Sequence, residues 1–485
     1  MQIRSQQSRS QRLAVPLLAG AAFLSGLDLF VVNVAFDDIA RAVGAGAPGG
    51  PRVADVSWIL TAYAVVFAAF LVPLGRVADK WGHKPVFLAG VSVFTAASLA
   101  CAATGDLWFL VAARAVQAVG AAAMTPTSLS LLLAVLPPEA RARGVRTWAS
   151  AGAIAAAVGP SVGGLLTQLD WRLVFVINLP VGLLVLALAA TRVPATPREP
   201  TAAVPDFLSA GIFTAGIGAL ALALVRAPEW GWASPRVLEL AVVAVVSVAV
   251  VAVRSRRHPA PLVSPALLQV RTFRWSVVGT LVYSVAFGAN LLVGVLWLQQ
   301  VWGWSPLVTG LAIAPGPALV PVTVWLTHRY LPNLQAATAI GVGSLLMAFG
   351  VTLRTLSMGE SSHYAAAFLP GWMIAGVGVG LALPHLMSAA THDLPPAWSA
   401  TGSGVVTMSR QLGLVLGTSM LFALVGNDVG LDAVPAFRVA WWVCVGALLL
   451  TAALTPLIRP RRAGHGPPPY DTNVQLPRTE SPVAT

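Results

Sequence analysis

Asp28 is a lone carboxylate inside an apolar run, Leu13 to Ala35, that is long enough to cross a bilayer. A charge in that setting is costly and is kept for ion or proton pathways. Arg114, followed at intervals of three by Gln117 and Gly120, lies in a second apolar run. Counted from the ends of their runs, Asp28 and Arg114 lie at comparable depth and can pair. Burial disfavours the carboxylate charge and a neighbouring Arg favours it, so such a group can switch protonation with its surroundings. A permanent Asp28–Arg114 brace is the alternative. Among the other polar residues inside apolar runs, Asn33, Gln117, Asn290, Arg410 and Gln411 can line a pathway. For Arg410 a stabilising partner role is an equal reading, and His385 either titrates or serves as a hydrogen-bonder. Paired Asp, Ser with His, metal-ligand spacings and phosphate-binding loops do not occur in these runs, so the expectation is no catalytic cluster, no metal, no cofactor and no nucleotide. Cys101 and Cys444 stand far apart and read as inert core thiols.

The elements that must position these residues follow from composition. Of 485 residues, 57% are hydrophobic and 10% charged, with a mean hydropathy of +0.78. Lipid forces backbone polar groups into helices or closed barrels. The runs are too long and too uniformly apolar for barrel strands. Fourteen helices are predicted, at 13–35, 57–75, 85–104, 107–134, 145–168, 174–191, 207–226, 237–253, 275–298, 305–326, 336–355, 364–390, 400–425 and 435–458. The loops on the face of the N terminus carry 21 of the 30 basic residues and the opposite loops carry 7, Arg354 among them. Because Lys and Arg are retained in the cytoplasm, both termini are expected there. The net charge of +12 is thus a loop property and implies no nucleic-acid partner. The basic start followed by an apolar run resembles a secretory signal, but it reads as a retained first span because it carries Asp28. Trp58, Trp108, Trp171, Trp232, Trp304, Trp398 and Trp441 fall near predicted helix ends, as interfacial anchors do. The expected partition is a cytoplasmic segment 1–12, a six-helix bundle 13–191, a Pro-rich linker 192–206, an inserted helix pair 207–253, a basic cytoplasmic loop 254–274, a second six-helix bundle 275–458 and a disordered tail 459–485.

Several motifs add mechanism. The string Gly75, Arg76, Val77, Ala78, Asp79, Lys80, Trp81, Gly82, His83, Lys84 joins the second and third helices, with glycines that permit a tight reversal. It resembles the signature cytoplasmic loop of the major facilitator superfamily. The Arg-x-x-Gln-x-x-Gly string at Arg114, Gln117 and Gly120 matches that family's fourth helix. The resemblance implies two six-helix bundles and a conformational latch formed by Gly75, Asp79, Gly82 and Lys84, with Asp79 facing the start of a helix near Ser399. The corresponding second-half loop, His328 to Gln335, lacks the pattern. In the fifth helix, Gly152 precedes Gly159, Pro160, Gly163 and Gly164, small residues and a proline that allow close packing and bending. This string resembles the motif that marks antiporters within the superfamily, with Ala155 at a usual glycine position. Further stretches, Leu27-Asp28 with Val31 to Ala35, Asp170-Trp171-Arg172 with Phe175, Asn178 and Pro180, and Gln299-Gln300 with Gly303, Ser305 and Pro306, are similar to the fourteen-helix drug:proton antiporter branch. Phe30 and Asp37 depart from it, at positions where Thr and Pro are common.

The expected function is therefore that of a proton-driven secondary antiporter. It would export drugs, antibiotics or other amphipathic small molecules across a bacterial plasma membrane, by rocking two bundles about a midplane cavity. A proton symporter importing a small metabolite is the alternative, and a membrane receptor or membrane-embedded enzyme a remoter one. The expected partners are a small-molecule substrate, protons and the lipid bilayer. Oligomeric state is not legible in the sequence.

Overall fold

Runs of Ala, Leu, Val and Gly this long leave the backbone one economical way to satisfy its own polar groups in lipid, and the chain takes it. A computed structural model describes residues 2–195, 204–394, 396–425 and 430–458, and these form helices joined by short turns, with no strand among the described residues. Residues 196–203 of the linker and the tail from 459 onward lie outside them. The long helices are α1 (Gln2–Val34), α2 (Trp58–Trp81), α3 (His83–Ala103), α4 (Leu107–Val135), α5 (Pro138–Leu169), α6 (Leu173–Arg192), α7 (Phe207–Trp230), α8 (Pro235–Ser255), α9 (Arg271–Val301), α10 (Pro306–Tyr330), α11 (Ala336–Ser357), α12 (Tyr364–His392), α13 (Pro396–Val425) and α14 (Leu431–Ile458). Among the described residues, 13 helices are long and apolar enough to cross a membrane, one fewer than the fourteen predicted. The exception is α5, whose apolar stretch is Ile154–Leu169.

Helices α1 to α6 pack as one bundle, with α1 against α5, α4 and α6, and α3 against α4. Helices α9 to α14 form the second, with α9 against α13 and α14, and α11 against α12. The bundles meet along α5–α10 and α2–α13. The pair α7 and α8 packs on itself, and α7 touches both α2 and α13. Charge pairs hold this pair at both ends. Arg226 Nη2 lies 2.8 Å from Asp55 Oδ1, just before α2, and Arg254 Nη2 lies 2.9 Å from Asp206 Oδ1 where α7 begins.

The helices depart from the expected boundaries for identifiable reasons. Helix α2 continues through Gly75 to Trp81, so Gly75 is mid-helix and the reversal into α3 rests on Gly82 alone, at φ +97°. Helix α10 breaks at Ala314, before Pro315, whose ring nitrogen offers no hydrogen to the ladder. Helix α9 ends in a π-helical turn, Trp297–Val301, and α12 begins with another, Tyr364–Phe368. Trp441 is not an interfacial anchor, because its ring is fully buried 5.0 Å from that of Trp297. Trp108 and Trp232 are exposed, as anchors should be. Arg354, assigned to a loop by its position near a helix end, also points inward and is fully buried.

Candidate transport cavity and buried ion pair

Helix α1 carries Asp28 into the first bundle with no exposure, and neighbouring helices bring donors to it. Arg114 Nη1 on α4 donates to Asp28 Oδ2 at 2.5 Å, and Gln117 Nε2, one turn further, donates to Oδ1 at 2.9 Å. Asn178 Nδ2 on α6 donates to the same Oδ1 at 3.0 Å. The spacing of three puts Arg114 and Gln117 on one face, where Arg114 Nη1 also donates to Gln117 Oε1 at 2.6 Å. That bond fixes the Gln117 amide with its nitrogen toward Asp28 and toward Ser98 Oγ on α3, at 2.7 Å. Arg114 Nε donates to the Ile59 carbonyl at 3.3 Å, and its guanidinium lies 4.1 Å over the Tyr63 ring. Such a group is a buried charge pair with hydrogen bonds on both partners, the arrangement that makes burial tolerable.

Tyr63 has two faces. One carries Arg114, and the ring also lines a cavity of about 410 Å³ between the two bundles. Phe30, Trp148, Phe287 and Trp372 give this cavity an aromatic wall, and Asn290, Arg410 and Gln411 give it polar groups. Arg410 and Asn290 therefore line the cavity. Asn33 does not, since it donates to the Leu29 carbonyl at 2.6 Å, and Gln117 belongs to the ion pair instead. His385 holds the Leu381 carbonyl at 2.7 Å.

The cavity lining extends toward the face where α1 begins, as far as Thr125, Met387 and Thr407, and contacts between the bundles cross its other end. There Gln299 Nε2 donates to the Val34 carbonyl at 3.0 Å, Gln300 Nε2 donates to Asp37 Oδ1 at 3.0 Å, and the rings of Phe36 and Phe422 lie 5.3 Å apart. The glycine string of α5 forms the adjoining seam. A Cβ on Gly159 would strike the Phe30 side chain, and one on Gly163 would lie 3.0 Å from Val31 Cα, both on α1. One on Gly164 would strike the Pro306 carbonyl and lie 2.9 Å from Leu307 Cα, across the bundle boundary. Gly310 of α10 meets the Pro160 carbonyl in return, so the two bundles touch backbone to backbone.

The sequence matches the Major Facilitator Superfamily over residues 18–418. The chain belongs to that superfamily. It is a multi-pass membrane transporter and not an enzyme, and it has relatives in bacteria. It is 30% identical to the multidrug resistance protein Stp of Mycobacterium tuberculosis over 416 residues, 85% of this chain and 76% of that one. It is 32% identical to the puromycin resistance protein pur8 of Streptomyces alboniger, covering 90% and 89%, and 31% identical to the cephamycin export protein CmcT of Amycolatopsis lactamdurans, covering 96% of each. The fold is shared with the POT family transporter PepTSo, at a TM-score of 0.67 and 14% identity over 92% of this chain and 97% of that one.

Of the superfamily's loop signature, Asp79 lies on the last turn of α2, with its Oδ1 3.6 Å from His83 Nε2, and Lys84 Nζ donates to the Ala190 carbonyl at 2.9 Å, near the end of α6. The expected partner of Asp79 near Ser399 involves side chains outside the described residues. Tyr63, Ser98, Asn178 and Arg354 were not singled out from sequence as site residues, nor were the cavity aromatics Trp148, Phe287 and Trp372. Only Asn178 carried a signal, as a member of the stretch that resembles the superfamily's drug-exporting branch.

Proposed function

We propose that this superfamily member is a proton-driven antiporter that exports amphipathic small molecules across the plasma membrane of a bacterium, with both termini cytoplasmic and α5 as the fourteenth span. The observation that carries this reading is Asp28, fully buried among Arg114, Gln117 and Asn178, with the Tyr63 ring shared between that network and the cavity. The names of its relatives as resistance and export proteins support the direction of transport. So does the close α5–α10 seam. The division into bundles at 13–191 and 275–458 with an inserted pair at 207–253 belongs to the same reading.

The cavity, with its lining extending toward the α1-start face and bundle contacts crossing its other end, corresponds to an inward-facing state. Substrate enters from the cytoplasmic side, and its binding favours loss of the Asp28 proton, which restores the charged pair with Arg114. Reorientation opens the far side by separating Gln299 and Gln300 from Val34 and Asp37. Protonation there neutralises Asp28, loosens its hold on Arg114 and favours return. Everted vesicles energised by a proton gradient test the scheme, orientation included. The wild type should accumulate substrate and release protons when substrate is added. Asp28→Asn should abolish proton release and uphill accumulation while the protein still inserts and retains substrate binding. Undiminished proton-coupled accumulation by that variant refutes the assignment.

A further inference from the structure

The cavity is electrically lopsided. Among the described residues its lining contains no Asp and no Glu, and it contains Arg410. The carboxylate nearest in kind, Asp28, is already committed to Arg114. Arg410 has neither a hydrogen bond nor an ion pair among the described residues, and its Nε is buried without a partner. A partly buried guanidinium lacking a counter-charge is unfavourable, and it cannot escape by losing its proton.

A second cation stands one layer behind the wall. Arg354 is fully buried with no carboxylate beside it among the described residues, held instead over the rings of Trp372 at 5.0 Å, Phe368 at 5.2 Å and Trp441 at 5.2 Å. Its Nη2 donates to Asn290 Oδ1. A guanidinium can only donate, so this bond settles which way the Asn290 amide points: the oxygen is taken, and the NH2 group is what remains for the cavity. Asn290 and Trp372 are both lining residues. The second bundle thus offers the cavity a bare guanidinium and an amide donor polarised by a further cation.

We propose that the exported substrate is an anionic aromatic amphiphile, carrying a carboxylate, sulfonate or phenolate that docks between Arg410 and the Asn290 amide while its rings lie against Trp372, Phe287 and Phe30. The proposal rests on the exporter reading and names the substrate class of that same cavity. It runs against the cationic dyes and biocides that an exporter's apolar cavity first suggests, because a cationic ligand would here meet two like charges and, among the described lining residues, no acid. Arg410 has the same role in either protonation state of Asp28, so substrate charge is sensed in one bundle and the proton in the other.

Fluorescein and rhodamine 6G share a xanthene core and differ in charge, which makes them a matched pair. Polarisation of each dye is measured on the full-length protein in lipid nanodiscs, against discs without protein. Fluorescein should bind at least about tenfold more tightly than rhodamine, and Arg410→Gln should weaken it by about tenfold or more without weakening rhodamine. Arg410→Lys, which keeps the charge, should retain most of the fluorescein affinity. Rhodamine binding as tightly as fluorescein to the wild type overturns the proposal with no variant needed, as does unchanged fluorescein affinity in Arg410→Gln. Transport in everted vesicles separates the two readings. Accumulation of rhodamine but not fluorescein overturns the anion assignment and leaves an exporter, whereas accumulation of neither dye counts against both.

Discussion

Tyr63 separates the ion pair from the cavity by the thickness of one ring. Its hydroxyl has no partner among the described residues, so the ring and not the oxygen does the separating. Tyr63→Phe should therefore leave export within about twofold of wild type, since removing an unpaired hydroxyl forfeits no hydrogen bond. Tyr63→Ala should admit water to Arg114 and Asp28 and uncouple proton release from export. Parallel measurement of dye accumulation and proton release in vesicles checks both, and equal damage by the two substitutions would assign the role to the hydroxyl. Asp28 and Arg114 were legible in the sequence because a charge in an apolar run is conspicuous. Ser98 and Tyr63 were not, because such residues are common in helices and their partners, Gln117 and Arg114, stand on a different helix, and Asn178 showed only as part of a resembling stretch, its partner Asp28 lying 150 positions away. Arg354 was misread for a specific reason. A charge near the end of an apolar run is usually at the interface, and only the three rings from α12 and α14 make an inward position tolerable.

At the scale of elements, the α5 glycines divide by partner. Gly159 and Gly163 face α1 within their own bundle, and Gly164 faces α10 in the other. Gly164→Leu should reduce export by more than about tenfold while the protein still reaches the membrane, because the side chain would have to push the two backbones apart. Full resistance in a drug-sensitive host carrying the variant would discard that argument. The inserted pair offers a quieter test. Burial pushes the Asp206 carboxyl up, but donation from Arg254 and Ser209 outweighs this and holds it down at about 2. The carboxylate therefore stabilises the fold fully above the usual range near 3.8, and this contribution is lost as pH falls through about 2. Asp206→Asn should lower stability by about 1–3 kcal/mol, toward the lower figure because Arg254 is partly exposed. The deficit should be constant between about pH 5 and 8, the range above both values. Melting curves of both proteins across that range check it, and a deficit that changes steadily with pH would point to another group. Helix existence was legible from run length, whereas the continuation of α2 past Gly75 and the π turns were not. Those depend on packing between helices, to which a single run of residues is blind.

At the scale of the whole molecule, two bundles and an inserted pair followed from counting apolar runs, and the charge asymmetry of the loops needed no structure at all. What counting missed is how the halves are held. Contacts at the far end, Gln299 against Val34 and Gln300 against Asp37, and the α5–α10 seam join residues separated by much of the chain. The surroundings of Arg354 carry a different consequence, for the order in which the chain is made. When α11 leaves the ribosome, Asn290 is already synthesised, but Phe368 and Trp372 are not, and Trp441 comes only with the final helix. An arginine released into lipid before its rings arrive costs up to about 2.5–3.5 kcal/mol at mid-bilayer depth, a penalty eased near a helix end. Assembly of the second half is thereby tied to completion of the polypeptide, and a nascent chain stalled short of α14 exposes a signal that quality-control proteases can read. A chain ending at Val425 should be cleared rapidly in a pulse-chase experiment, and Arg354→Leu in the same truncated chain should prolong its life. Equal lifetimes would mean that the missing helix, and not the uncaged arginine, marks the fragment for destruction.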